Sequence, residues 1–500
     1  MSIQRNVLNN LLGVYSGNQQ LLRERNEVIK MYNIYEGAAK TEEMETNEIT
    51  RGQSWQVPIG LDYTPTQEIR NHIKKLLKKQ ARFMFGTEPT ILFSPYQKED
   101  KQKAEEKKQF IEMALTESEF WTKTFKAFLD CTIGKRVLLI GLANPQDTKA
   151  RFRYYTMPSF TYETFKEDES RLKKVIIAYE DPDTIGKNPS EQIWHRYEYI
   201  MQNGVCIYNY ATYDGNGEIE KGTEETLNTG FEEIPGKVIL NGGLTGTDKG
   251  ESDVTDLVDL AGGYNTTVSD FRDALRFKLF EQTAFIDADS KSMEGLTVAP
   301  GSTLDVRSDP ATDKQAKIQT VGAEFNFTDP AEKYLNRAKE DMYEIMDMPR
   351  PQDLKNIPSA KSLKFTFYDL MSRCTEKWKD WEPALLWACN FILDSTERFN
   401  LYSDNYYIKA IGTEGIIGLK QNYPIPEDEA EQKKTAIAEV DSKVKSIKQY
   451  VREYGDVVDE VGEFEEIIAE QKEINETMQD SFATQAAADQ STTAGKNTEE

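Results

Sequence analysis

The stretch from Glu251 to Leu393 constrains the fold most, because it predicts two long helices separated by a short, turn-rich insert. The first helix is expected from Ser252 to about Asp287, with apolar residues three, four or seven positions apart, a spacing that places one apolar stripe along a rod. The residues of this stripe are Leu257, Tyr264, Val268, Phe271, Leu275 and Leu279. No catalytic motif occurs in the stretch.

Glycine and proline punctuate the insert, from Ala288 to Phe327, and leave β-prone pieces at Leu304–Arg307 and Ile318–Val321. A second helix is expected from Asp329 to Met348. Its first four residues read Asp-Pro-Ala-Glu, which predicts an aspartate N-cap and a proline in the first turn. Pro349 is expected to end it.

The next segment, Arg350 to Pro358, is too rich in proline to be helical. A long helix is expected from Ser359 to Leu393, with a kink or break at Pro383. Its predicted apolar stripe consists of Leu363, Phe367, Leu370, Cys374, Trp378, Trp381, Leu385, Ala388 and Ile392.

The chain before Glu251 predicts a polar helical region over residues 1–55 with a linker at Thr41–Gln53, then a helix at Thr66–Phe85 ended by Gly86. Lysines crowd that helix, and favourable charge at its C-terminal end explains them better than a DNA contact does. An antiparallel sheet should follow, with a hairpin turn at Asn203-Gly204. Its predicted strands are Val137–Leu142, Phe152–Thr156, Lys174–Tyr179, Trp194–Met201 and Val205–Tyr210.

The chain after Leu393 predicts a strand at Tyr406–Ile411 and two acidic helices, Glu427–Tyr454 and Val457–Met478, separated at Gly455. Ser481–Glu500 has no apolar period and is expected to be disordered.

The charge balance bounds the function. A formal net charge of −24 argues against a general nucleic-acid binder, because lysine and arginine supply most affinity for phosphates. It does not argue against a conduit, because a wall along which DNA slides should repel the DNA or barely hold it. The four cysteines are scattered and predict reduced core thiols. The first 20 residues lack a signal-peptide pattern and no apolar run is long enough to span a bilayer, so we expect neither a secreted nor a membrane protein.

A search for catalytic or metal-binding patterns finds none. The glycine-rich run Asn241–Gly250 lacks the spacing of a phosphate loop and is interpreted as a flexible connection. His195 and His72 are the two histidines of the chain and cannot be combined into a catalytic triad. His195 is therefore expected to be a packed or surface residue. The helix dipole is a sufficient explanation for Asp253, Asp256 and Asp259. We therefore expect no enzyme, no cofactor and no metal.

The order of these elements resembles the portal proteins of tailed bacteriophages, in particular the siphophage-type family from phages of Gram-positive hosts. Besides the central block, the resemblance is carried by Asn71–Leu77, Phe83–Gly86, Ser252–Ala261 and Tyr423–Glu429. It implies an α+β, mainly α, portal fold with an α/β wing, a helical stem, a small α/β clip and a helical crown.

The resemblance also implies domain boundaries along the chain. These are an N-terminal helical arm at 1–60, the wing at 61–250, the first stem helix at 251–287, the clip at 288–327, the second stem helix at 328–348, a tunnel loop at 349–361, a long kinked helix returning to the wing at 362–400, the crown at 401–480 and a disordered tail at 481–500.

A ring, usually of twelve subunits, at the capsid vertex is the implied function, as a conduit for DNA packaging and ejection. The implied partners are weakly and sequence-independently bound double-stranded DNA, the large terminase subunit, a head-tail adaptor, and the major capsid and scaffolding proteins. The protein is expected in the virion, and in the host cytoplasm during assembly.

Two sets of site residues follow from this reading. The predicted DNA-contacting residues of the tunnel loop are Lys355, Lys361, Lys364 and Arg350. The predicted residues for motor and adaptor docking on the clip are Glu294, Leu296, Asp305, Arg307, Lys314 and Lys317.

Two alternatives stay open at this point. A helical oligomeric virion adaptor without a DNA-gripping role would share the long amphipathic helices. An enzyme of viral DNA metabolism, such as a metal-dependent nuclease, would need a constellation of acids that the sequence does not contain.

Overall fold

A computed structural model describes residues 2–14, 18–37, 65–244, 249–279, 282–289, 307–308, 310–311, 314–321, 328–354, 360–425, 429–454, 462–470 and 472. The chain forms two compact units. The first contains Met1–Asn356 and Thr366–Pro424, and the second contains Ile357–Phe365 and Ile425–Glu500. The fold mixes helices with antiparallel sheets, as the α+β prediction requires.

The helices are α1 (Ser2–Leu11), α2 (Gln19–Glu36), α3 (His72–Phe85), α4 (Lys101–Glu117), α5 (Phe120–Gly134), α6 (Thr255–Leu279), α7 (Thr328–Ile345), α8 (Ala360–Thr366), α9 (Tyr368–Phe399), α10 (Glu429–Asp441) and α11 (Ile447–Tyr454). The strands are β1 (Thr90–Pro95), β2 (Arg136–Leu142), β3 (Arg151–Thr156), β4 (Phe160–Thr164), β5 (Leu172–Glu180), β6 (Trp194–Gln202), β7 (Val205–Tyr213), β8 (Glu225–Asn228), β9 (Gly236–Leu240), β10 (Gln282–Ile286), β11 (Lys317–Val321) and β12 (Gly415–Lys420).

Two antiparallel sheets form the centre of the first unit, one with the strand order β4-β5-β6-β7-β8 and one with the order β3-β2-β9. All five predicted strands are present, each within two or three residues of its expected ends. Asn203 (φ 50°) and Gly204 (φ 83°) form the β6–β7 hairpin turn. Consecutive left-handed residues match the right-handed twist of the two strands, which is why Asn-Gly is favoured there.

The main core lies between these sheets. Leu138 and Ile140 of β2 pack with Val175 and Ile177 of β5, and all four side chains are fully or almost fully buried. On the opposite face of the five-stranded sheet, helix α1 packs against Trp194 and its neighbours. The sheet is therefore covered on both faces, at least along β5 and the start of β6.

Helices α3, α5 and α9 cover the outside of the three-stranded sheet. The rings of Phe85, Phe128 and Trp381 meet pairwise at centroid distances of 5.3 to 5.6 Å. Aromatic contacts of this kind add stability beyond the area they bury. All four cysteines are free and buried, as predicted.

Proline at position 383 does not break the long helix, because α9 continues from Tyr368 to Phe399 with Pro383 inside it. Of the expected kink or break, the break is therefore wrong and the kink stays a prediction. The interruption falls instead at Phe367, between α8 and α9. The buried side chains on both sides of Pro383, Trp381 and Leu385, hold the helix against the core, and this packing outweighs one lost backbone hydrogen bond.

Helices α6 and α7 contact each other and are followed, at the far end of α6, by the antiparallel pair β10–β11. The prediction that the first helix runs to Asp287 was wrong. It ends at Leu279, and Gln282–Ile286 pairs with Lys317–Val321. The second predicted strand piece is confirmed by β11, whereas Leu304–Val306 lies outside the described residues.

Two further boundaries differ from expectation, and a third agrees with it. Helix α7 begins at Thr328, so Asp329 lies in its first turn rather than at the N-cap. The predicted strand at Tyr406–Ile411 is a 3₁₀ helix, Tyr406–Ala410, and the strand follows as β12. Gly86 ends α3 as predicted, with a right-handed φ of −71°.

The segment before α3 is extended rather than helical, because side chains of α6 take its backbone hydrogen bonds. The N–H groups of Thr66, Glu68 and Arg70 donate to Asp273 Oδ2 (2.8 Å), Ser269 Oγ (2.9 Å) and Asn265 Oδ1 (3.0 Å), respectively. Helix α3 starts only at His72, with Asn71 as its N-cap.

The second unit contains α8, α10 and α11, and residues 462–470 are also helical. The single helix predicted over Glu427–Tyr454 is two helices. They separate between Asp441 and Ile447, where Lys443 has a left-handed φ of 61°. The linker at Thr41–Gln53 and the tail at Ser481–Glu500 lie outside the described residues.

Gly141 yields a prediction about the core. A Cβ at this position of β2 would lie 2.5 Å from Cε1 of Phe391 on α9. Because that ring is packed against its neighbours, we expect Gly141→Ala to lower the free energy of unfolding by about 1–3 kcal/mol, measured by urea denaturation. Gly412→Ala is the control, since no atom lies within 4 Å of its Cβ position. Equal denaturation midpoints for the two variants would contradict this account.

Candidate functional site

Asp253 is a buried carboxylate immediately before α6, and two cations of α9 hold it. Lys377 Nζ lies 2.9 Å from Asp253 Oδ1, and Arg373 Nη2 lies 3.5 Å from Asp253 Oδ2. Asp253 is 6% exposed and Lys377 is 9% exposed. A buried ion pair is favourable only where further hydrogen bonds satisfy its remaining polar atoms.

Asn241 supplies further hydrogen bonds to both partners of the ion pair, whereas Asp253 Oδ2 contacts only Arg373 among the described residues. Its Nδ2 donates to Asp253 Oδ1 (2.9 Å) and to the carbonyl of Glu251 (2.7 Å), while its Oδ1 accepts from Lys377 Nζ (2.6 Å). Asn241 follows β9 directly, and its own N–H donates to the carbonyl of Lys135 (2.9 Å). The side chain therefore joins the three-stranded sheet to the start of α6.

Arg373 connects the same point to the end of α7. Its Nη1 donates to Asp347 Oδ2 (3.2 Å) and to the carbonyl of Ile345 (3.3 Å), the last residue of α7. Asp347 has a left-handed φ of 54° and follows the helix as its C-terminal turn. One guanidinium thus bonds both the beginning of α6 and the end of α7. We call Asn241, Asp253, Asp347, Arg373 and Lys377 the junction network.

Electrostatics favour the ionised network. Burial opposes ionisation of Asp253, but Lys377 and Arg373 outweigh it and hold the pKa of Asp253 below its usual value. Burial likewise opposes the charge on Arg373, and Asp253 and Asp347 raise the pKa of Arg373 nonetheless. The sequence reading, in which the helix dipole alone explained Asp253, missed these partners.

An open cleft of about 590 Å³ lies beside the junction network. Its wall includes Asp380, whose carboxylate accepts from the N–H of Gly242 at 3.0 Å. Burial raises the pKa of Asp380. Within the described part of the chain, no three His, Cys, Asp or Glu side chains are arranged to hold a metal ion. The network's chemistry is structural: it fixes a helix pair to a sheet.

Comparison with known families decides what kind of protein contains this arrangement. The model of the family described as phage portal protein, SPP1 Gp6-like, matches residues 18–477. This chain belongs to the phage portal protein family. The resemblance inferred from the sequence is thereby confirmed, whereas no curated protein matches the chain. Membership implies a structural protein of a tailed-phage virion, located at the capsid vertex.

No helix in the described ranges is long and apolar enough to cross a membrane.

The tunnel-loop residues are only partly placed by the structure. Lys355 and the side chain of Lys361 lie outside the described residues, and Lys364 is an exposed residue of α8 in the second unit. Arg350 follows α7 and its guanidinium lies 3.5 Å from Glu340 and 3.8 Å from Glu344. These glutamates partly neutralise Arg350 within its own subunit.

The structure likewise describes only some of the predicted clip residues. Glu294, Leu296 and Asp305 lie outside the described residues. Arg307, Lys314 and Lys317 are exposed, with Lys317 at the start of β11. The three described residues of the predicted docking set are all cations. Lys314 and Lys317 lie just before and at the start of β11, whereas the carbonyl of Arg307 accepts from the N–H of Asp289, which follows β10.

His195 has more partners than the sequence indicated. Its Nδ1 lies 2.8 Å from the Tyr210 hydroxyl and its Nε2 lies 3.1 Å from Asp181 Oδ2. It is a partly buried residue of β6. These contacts join β6 to β7 and to the residue that directly follows β5.

The junction network was missed because its members are far apart in the sequence. One signal was present: Arg373 and Lys377 are four residues apart and lie beside Cys374 and Trp378 of the apolar stripe. Cations at the border of a buried stripe need a buried acid, which the acidic residues before α6 supply.

Replacing Asp253 with Asn tests the network. At pH 7 we expect Asp253→Asn to lower the free energy of unfolding by about 3 kcal/mol, because two buried cations lose their counter-charge. The pKa of Asp253 is lower in the folded than in the unfolded chain, so its stabilising effect is present above about pH 4 and is lost as the pH falls further.

The difference between wild type and variant, measured by urea denaturation, should therefore shrink from about pH 5 towards about pH 2. The matched control is Asp256→Asn, an exposed acid in the first turn of α6. A difference that is independent of pH would refute the electrostatic role of Asp253.

Proposed function

We propose that this chain is the subunit of a ring-shaped portal through which DNA enters and leaves the capsid.

 

The observation that carries this proposal is the helix pair α6–α7, which leaves apolar side chains uncovered along its length. Leu275 is 39% exposed, Tyr334 is 46% exposed and Ile345 is 38% exposed. Apolar side chains that recur along one paired element indicate a contact with another chain. In a closed ring each copy would present this pair to the next copy through a head-to-tail contact.

The proposed subdomains follow the order expected from the sequence, with one boundary moved. Helices α6 and α7 are the two stem helices. The clip begins at β10, because α6 ends at Leu279, and it includes β11. The sheets and the helices α3 to α5 correspond to the wing, residues 349–361 to the tunnel loop and α9 to the helix that returns to the wing. Residues 401–480 correspond to the crown.

In this proposal the wall of the conduit is acidic and holds DNA weakly. The net charge of −24 per chain disfavours a tight grip, since each retained phosphate contact requires a cation. Arg350 is already paired with Glu340 and Glu344. We assign the weak contacts with the DNA backbone to Lys355, Lys361 and Lys364, which the sequence places in and directly after the proline-rich loop.

The narrow end of the subunit is the proposed docking surface for the terminase motor and, later, for the head-tail adaptor. Its described part is the pair β10–β11, where Arg307, Lys314 and Lys317 are exposed. Exposed cations around a short strand suit a partner with an acidic surface.

The ring itself is tested by placing a charge on the uncovered face. Wild-type protein should form a particle of about twelve copies in mass photometry, the number that the family resemblance implies. Leu275→Glu should shift the population towards single subunits, because closing the ring would bury an unpaired carboxylate. Arg276→Glu, at the adjacent exposed position of α6, is the control and should still form rings. A wild-type protein that stays monomeric at micromolar concentration would end the ring proposal.

The DNA contact is tested by removing the three lysines together. A variant with Lys355→Ala, Lys361→Ala and Lys364→Ala should assemble normally but package or retain less DNA. The measurement is the length of nuclease-protected DNA in filled capsids. Unchanged length and retention would instead favour the alternative function, an oligomeric adaptor that does not grip DNA.

A further inference from the structure

A second cleft, of about 420 Å³, lies between helix α5 and strand β3 of the first unit and is separate from the junction network. Four cations line it, Lys123 and Lys126 from the helix and Arg151 and Arg153 from the strand. In a chain with a net charge of −24, four cations along one cleft form a local region of opposite sign.

Strand β3 is an edge strand, since the sheet order is β3-β2-β9. The N–H of Gly141 on β2 donates to the carbonyl of Pro235, on the β9 side. Gly141 pairs with Phe152, so these two residues point their backbone groups away from each other. Alternation along the strand then directs the backbone groups of Phe152, Tyr154 and Thr156 towards the open edge.

The outward backbone groups of Phe152 and Tyr154 have no backbone partner among the residues that the structure describes, whereas the carbonyl of Thr156 begins the 3₁₀ turn Met157–Ser159. Unpaired edges of this kind are templates for an additional strand. The edge strand β3 and the four cations thus line the same cleft. A peptide in this cleft could form hydrogen bonds with the backbone of β3 and ion pairs with the cations.

The four cations differ in how many hydrogen bonds and ion pairs they already form within the chain. Arg153 donates to the Tyr179 hydroxyl at 2.9 Å and lies over the Tyr179 ring, which fixes its direction. Lys123 Nζ donates to the carbonyl of Ser118, and Arg151 is paired with Asp147. Lys126 is exposed and has no hydrogen bond or ion pair within the described ranges.

One carboxylate also lines the cleft. Asp130 accepts a hydrogen bond from the Tyr32 hydroxyl at 3.2 Å, and burial raises its pKa to about 6. The negative charge of Asp130 would repel an acidic partner, but the cleft contains four cations and this one carboxylate.

We propose that this cleft is a docking site for an extended, acidic segment of a partner protein. The segment adds as a further strand to the edge of β3, and its acidic side chains meet the cations of α5 and β3. Recognition by strand addition takes affinity from the backbone and specificity from side chains at alternate positions.

A protein segment fits this cleft better than duplex DNA does. An added strand needs only about 5 Å beside its neighbour, whereas a duplex is several times wider. The outward N–H and carbonyl groups of β3 also have a natural complement in a peptide backbone.

The experiment uses the full-length protein and a fluorescent seven-residue peptide that alternates glutamate with valine or threonine. Binding is measured by fluorescence anisotropy at low salt. We expect saturable binding that weakens at least tenfold for the variant Lys126→Glu combined with Arg151→Glu. Both side chains are exposed, so the variant is expected to fold, which circular dichroism checks.

Two control peptides separate the contributions. A peptide with glutamine in place of glutamate should bind at least tenfold more weakly. A peptide with the original charges but N-methylated at alternate residues should lose binding, because it cannot pair with β3. Equal binding of the N-methylated peptide would overturn strand addition, and absence of binding by the first peptide would overturn the proposal.

Two further measurements exclude other occupants. Mass photometry of the cleft variant should show the same assembly as wild type, whereas loss of the assembly would make the cleft a contact between copies and overturn the proposal. A 20-base-pair duplex in place of the peptide should bind wild type and variant equally. A duplex that loses binding in the variant would show a DNA site instead. Ring formation is measured by mass photometry and peptide binding by anisotropy. Failure of the proposed ring can therefore be distinguished from failure of the proposed peptide site.

Discussion

The buried pair of Asp253 and Lys377 sets the position of the helix pair relative to the sheets. The two groups are 2.9 Å apart in a region where both side chains are almost fully buried. Losing one partner of such a pair costs about 3–5 kcal/mol, because an isolated charge stays behind. Asn241 binds both partners and emerges from β9, so the sheet, the start of α6 and α9 are fixed together.

Arg373 extends this constraint to the other helix of the pair. Since the same guanidinium contacts Asp253 and Asp347, the start of α6 and the end of α7 are held at one place. A displacement of either end relative to α9 must break a charge-assisted hydrogen bond, each worth about 1.5–3 kcal/mol. The helix pair is therefore restrained where it joins the sheets, while its other end at β10–β11 has no such network among the described residues.

A second set of hydrogen bonds holds the segment before α3 against the side of α6. Asn265, Ser269 and Asp273 are spaced four residues apart, which separates their side chains by about 6 Å along the helix. Alternate residues of an extended chain are about 6.6 Å apart. The spacing along the helix and the spacing along the extended chain nearly match. The three polar side chains of α6 can therefore accept hydrogen bonds from the backbone N–H groups of Arg70, Glu68 and Thr66. This pairing explains why the segment is extended although its sequence was interpreted as helical.

Local patterns predicted the parts of the fold that depend on local forces. The strands of the two larger sheets were predicted because β-branched and aromatic residues alternate there, and the Asn203-Gly204 turn follows from its backbone preferences. Errors arose where distant contacts decide the outcome. Gln282–Ile286 continues a helical pattern but pairs with Lys317–Val321, which lies more than 30 positions later in the chain.

The candidate site could be predicted less well than the fold, for the same reason. Asp253 and Lys377 are separated by 124 positions, and no periodicity links an acid before one helix to a lysine inside another. The family resemblance did not supply the pair either, because it rests on the order of elements rather than on single contacts. What the sequence does contain is a charge in an unfavourable place: Lys377 lies beside Trp378 and Trp381 of the apolar stripe of α9. A cation in such a position requires a buried partner, and searching for that partner is the step by which the network follows from physical chemistry.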